Sequence, residues 1–108
     1  MQIPESFQLH GQIYHVKHDP TLTNRTDNRG ETKPRTNEII LQINTETVPI
    51  PQSLVEQTFC HELMHCLLIH AESKMGDDEK FVNLMGNLLH QAWTTMSYPK
   101  KKGVNNVS

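Results

Sequence analysis

Apolar and polar positions change rhythm along this chain. Over residues 6–18, Phe7 and Leu9 alternate with polar neighbours, Gly11 interrupts the run, and Ile13, Tyr14 and Val16 follow. Alternation of this kind marks β-strands. Residues 19–36 are polar, carry the turn signal Asp27-Asn28-Arg29-Gly30, and leave room for a short edge strand over 30–33. The best strand candidate covers 38–44, where Ile39, Leu41 and Ile43 share one face. From residue 52 the spacing becomes helical. Pro51 suits a helix entry and Ser53 with Glu56 fits a capping box, so a first helix is expected over 52–73. Its Val55, Phe59, Leu63 and Leu67 form a stripe that can face a core. Asp77 or Asp78 can cap a second helix over 78–97, with apolar positions 81, 82, 85, 88, 89, 92, 93 and 96. Tyr98-Pro99 stops it, because proline disfavours a helical residue before it and has no N–H to donate.

Strands first and helices afterwards point to an α+β fold: a small, mainly antiparallel sheet followed by two packed helices. A chain of 108 residues is expected to form one domain. That domain spans 1–99, and 100–108, opened by Lys100-Lys101-Lys102, is expected to be a disordered polar tail. Composition narrows the partners. Hydrophobic residues make up 35 % and the net charge is -2, an ordinary soluble balance that calls for neither nucleic acid nor membrane. No apolar run approaches the roughly 20 residues of a membrane span, and the first residues do not read as a signal peptide. A cytoplasmic protein is expected. Cys60 and Cys66 on one helix would stand about 9 Å apart along its axis, out of disulfide reach. They are expected to be reduced, buried thiols.

The chemistry lies in His61-Glu62-Leu63-Met64-His65, a His-Glu-x-x-His pattern. Residues four apart share one helix face, so both imidazoles can reach one zinc ion. Glu62 projects about 100° round from His61, beside the metal, where it can act as catalytic base on a water and pass the proton to a leaving amine. A third protein ligand is needed. An extended motif would place glycine at 68 and histidine at 71, but the chain has Leu68 and Ala71. His70 falls about 140° off the ligand face, so it is expected in solvent or behind the ligands. The second helix offers Asp77, Asp78, Glu79 and His90. Glu79 lies on the flank shared with Val82, Gly86 and Trp93, and Gly86 suggests a close approach of the first helix there. Glu79 is therefore the favoured third ligand, with Asp78 as the alternative.

The motif, the 13-residue gap and the run from Glu79 to Leu89 resemble the small phage- and prophage-encoded metallopeptidases, minimal gluzincins akin to the anti-repressor peptidases of mobile elements. The resemblance covers roughly residues 36–93. It implies a zincin-like minimal core, zinc as cofactor, His61, His65 and Glu79 as ligands, Glu62 as base, and a protein or peptide substrate in the host cytosol. A protease of the SprT type, acting on DNA-bound proteins, and a zinc-containing phage protein that binds or inhibits without turnover are the rival readings. Lesser candidates are a second metal site among His10, His15 and His18, an oxyanion-stabilising role for Tyr14, Tyr98 or His90, and strand 38–44 either as the edge that pairs with substrate or, equally, as an internal strand.

Overall fold

The computed structural model describes residues 1–45 and 47–99; the expected tail over 100–108 lies outside the described residues. The first strand signal becomes a hairpin of β1 (Ser6–Leu9) and β2 (Gln12–His18), paired antiparallel with Leu9 opposite Gln12. His10 and Gly11 make the turn, with φ of 51° and 76°. The polar stretch holds an unexpected short helix, α1 (Leu22–Thr26), before β3 (Gly30–Lys33). Asp19 builds this segment: its carboxylate accepts from the Thr21 N–H and hydroxyl and pairs with Arg25. The apolar anchor of α1 is a single residue, the fully buried Leu22, which periodicity could not register.

Strand β4 (Glu38–Leu41) runs parallel to β2 and antiparallel to β3, giving the sheet order β1-β2-β4-β3. Two of the three pairings are antiparallel, and the class is α+β as expected. β4 is therefore internal, the second of the two places left open for 38–44, and it ends three residues early. Ile39, Ile40 and Leu41 are all buried, which fits a strand covered on both faces. Ile43, expected on the same face as Ile39 and Leu41, is 40 % exposed.

Helix α2 (Gln52–His70) packs its Val55, Phe59, Cys60 and Cys66 on Tyr14, Ile39 and Leu41 of the sheet. Phe7 stacks on Tyr14 with ring centroids 5.2 Å apart and meets Phe59 edge-on. Leu63 and Leu67 of the expected stripe are only half-buried. The capping box does not form. The helix starts one residue before Ser53, Pro51 occupies the cap without a side-chain bond, and Glu56 turns instead to His90, 2.9 Å away. The helix also ends before residue 73, because Glu72 adopts a left-handed φ of 53° and the Ser73 N–H returns to the Leu68 carbonyl. Both cysteines are free and buried, and burial pushes each thiol up to about 11.

A 3-10 turn (Lys74–Asp77) leads into α3 (Glu79–Thr95), which packs antiparallel-fashion back on α2 through Val82 and Gly86. A Cβ at Gly86 would lie 2.9 Å from the His61 Cα, so only glycine lets the two backbones come this close. The helix ends at Thr95, two residues short of the expected 97. Its apolar stripe is only partly used: Leu88, Trp93 and Met96 remain exposed. Among the described residues, no helix is long and apolar enough to cross a membrane.

Candidate metal centre and cleft

Helical spacing puts His61 and His65 side by side on α2, with ring centroids 5.0 Å apart. The turn before α3 brings Glu79, the first residue of that helix, across both. Its Oε2 stands 3.2 Å from His61 Nε2 and its Oε1 stands 3.2 Å from His65 Nε2. All three donor groups fall within 4.8 Å of one another, the one such His/Cys/Asp/Glu group among the described residues. In a tetrahedral zinc site with bonds of about 2.0–2.2 Å, neighbouring donors stand about 3.3–3.5 Å apart. The spacing and the donor set therefore fit zinc. Three protein donors leave one further tetrahedral position. Asp78, the alternative ligand, is engaged elsewhere: its carboxylate caps α3 by accepting from the Lys80 and Phe81 N–H groups.

Two supporting residues were missed in the sequence. Asn83 sits one turn after Glu79 and places its Oδ1 3.0 Å from His61 Nδ1. An Nδ1–H donated there leaves the Nε2 lone pair on the Glu79 side, the usual arrangement behind a metal-bound histidine. Its i, i+4 relation to Glu79 was the signal that could have found it. Thr32 of β3 donates its hydroxyl to Glu62 Oε1 at 2.8 Å and also reaches the Glu62 carbonyl at 3.2 Å. No local pattern marks a threonine for that role.

Glu62 itself is buried, with 7 % of its surface exposed. Burial pushes its carboxyl up from the ordinary value, opposed by the Thr32 hydrogen bond and the neighbouring histidines. A Cβ at Gly30 would stand 3.0 Å from Glu62 Cγ and 2.6 Å from Thr58 Cγ2, so glycine there leaves Glu62 its place. The cluster opens onto a cleft of about 640 Å³ walled by Gly30, Thr32 and Pro34 of the β3 segment and by Ile69 of α2. A second hollow of about 450 Å³ continues past Glu79 to Gln57, Asn83 and Asn87. Openings of this size are typical of ligand sites.

The lesser candidates fall elsewhere. Tyr14 is buried and bonds His70 through its hydroxyl at 2.8 Å, so it does not face the cleft. His90 pairs with Glu56, and Tyr98 is 77 % exposed; neither lines either hollow. His15 and His18 are exposed on β2, while His10 meets His70 rather than either of them. His70 is thus neither free in solvent nor behind the ligands.

Comparison of the chain with known protein families, with curated proteins and with solved structures finds no match.

Proposed function

We propose that this chain is a zinc-dependent metalloendopeptidase that hydrolyses peptide bonds of a protein substrate in the cytoplasm, of the kind that small phage-encoded gluzincins represent. The observation that carries the reading is the convergence of His61, His65 and Glu79 beside a buried, hydrogen-bonded Glu62. His61, His65 and Glu79 would hold the metal, and Asn83 would fix the His61 tautomer. Zinc, when bound, polarises a carbonyl and acidifies water towards a pKa of about 7. Glu62 accepts the proton of the attacking water on its carboxylate and delivers it to the leaving amine. Thr32 steadies one carboxylate oxygen, and the partly dry setting brings Glu62 nearer to the pKa a base–acid shuttle needs.

Substrate alignment follows from the sheet order. β3 is one of the sheet's two edge strands, and its residues wall the cleft. Its outer edge, unpaired among the described residues, can accept an extended peptide as a further strand, which lays the peptide along the metal cluster. The experiment is a proteolysis assay on cell extract and on a peptide library, with zinc-loaded parent beside Glu62→Gln. The parent is expected to cleave and the variant to keep zinc and lose cleavage. Equal inertness would favour a zinc-containing binder without turnover, and cleavage confined to DNA-bound proteins would favour the SprT-type alternative.

A further inference from the structure

Two histidines that the proposed chemistry does not use face each other on the far side of the motif helix. His10 Nδ1 lies 3.1 Å from His70 Nδ1, with ring centroids 5.1 Å apart. We propose that His10 and His70 form a second metal site, for a divalent ion of the Cu2+, Ni2+ or Zn2+ class, that ties the β1–β2 turn to the C-terminal end of α2.

The spacing fits. Two nitrogens on one tetrahedral ion, each at about 2.0–2.1 Å, stand about 3.3 Å apart. The observed 3.1 Å separation is within a few tenths of an ångström of that value. Tyr14 supplies the outer partner. Its hydroxyl, 2.8 Å from His70 Nε2, can accept the Nε2–H and leave the Nδ1 lone pair facing His10. The phenol is held in place by burial and by stacking on Phe7, so the His70 ring is oriented before any ion arrives.

The turn backbone fixes where His10 stands. His10 and Gly11 are the two central residues of the hairpin turn, and both have positive φ. Asn-Gly and Gly-Gly are the pairs that favour such a turn. A histidine at φ 51° is held there at some local cost. Beside the two rings lies a hollow of about 300 Å³ lined by Leu9, Leu67 and Ala71, room enough for the ion to carry water as its remaining ligands. Imidazole suits copper, nickel and zinc, and copper binds such nitrogen sites most tightly of the three. An ion bound only to the folded state would stabilise the hairpin–helix junction by mass action.

Copper titration of the full chain, followed by electron paramagnetic resonance, tests this. Parent is compared with His10→Asn, His70→Gln, Tyr14→Phe, His15→Ala/His18→Ala and His61→Ala/His65→Ala. Asparagine suits the left-handed turn, so His10→Asn keeps the hairpin, with circular dichroism as the check. The expected result is a copper event with two-nitrogen coordination that survives in His61→Ala/His65→Ala and in His15→Ala/His18→Ala. It is lost in His10→Asn and His70→Gln and weakened about tenfold in Tyr14→Phe. Survival of that event in both His10→Asn and His70→Gln overturns the proposal. So does a parent that binds no copper beyond what His61→Ala/His65→Ala removes.

Discussion

Replacing Gly86 with alanine should destabilise this protein, opposite to the usual effect in a helix. In an ordinary exposed helix interior, glycine to alanine gains about 1 kcal/mol. Here the added Cβ would meet the His61 Cα at 2.9 Å and the His61 N at 3.1 Å. Both are backbone atoms, so no rotamer change relieves the clash. Carbon atoms in comfortable contact stand about 3.5–4.0 Å apart, and α2 and α3 must separate by several tenths of an ångström. Overpacking of this kind costs about 1–3 kcal/mol. Against the propensity gain, the net loss is about 1 kcal/mol. The separation occurs at His61 itself, so zinc affinity should fall with stability. Urea unfolding of the metal-free protein gives the first quantity, and competition with a chelator gives the second. Asn87→Ala, exposed and one residue on, is the control and should gain about 0.5 kcal/mol. A Gly86→Ala protein that gains about 1 kcal/mol and keeps its zinc affinity would refute the close helix contact.

Other consequences concern Glu62. Thr32→Val removes a hydrogen bond to a charged group, worth about 1.5–3 kcal/mol, and so pushes the Glu62 carboxyl further up. The acid limb of the pH–rate profile should move to higher pH, and an unmoved limb would mean that Thr32 does not support the base. In the metal-free protein, the raised Glu62 pKa means that the folded state holds the proton more firmly than the unfolded state. Its contribution to stability is then lost as pH rises from the unfolded value through the folded one. Glu62→Gln should therefore melt above the parent at neutral pH, with the gap closing under acid conditions; a variant that melts lower at neutral pH would show that the carboxylate is stabilised where it lies.

The helical half was legible because its signals are local. The i, i+4 histidines and the Asp78 cap lie within about a turn of what they act on. Gly86 could be read as a close approach from its cost alone, and the Cβ clash with His61 is that approach. The sheet half was less legible. Strand order depends on pairings between distant segments, and an isolated apolar run such as 38–44 does not say whether its edges are free. β4 became internal because β3, a polar strand with weak alternation, took the cleft edge. The Ser53–Glu56 capping box failed because Glu56 had a better partner 34 residues away in His90. The Thr32–Glu62 and His10–His70 contacts, spanning 30 and 60 residues, have no local signature at all.

The most direct test of the account is zinc binding at neutral pH by the parent, His61→Ala, His65→Ala, Glu79→Ala and Asp78→Ala, measured by chelator competition with each variant's fold checked by circular dichroism. The account predicts one tightly held zinc in the parent, loss of most of it in the two histidine variants, a large loss of affinity in Glu79→Ala, and a small change in Asp78→Ala, whose side chain only caps the helix. Full zinc retention by His61→Ala and His65→Ala would contradict the metal centre itself. A larger loss in Asp78→Ala than in Glu79→Ala would remove Glu79 from it.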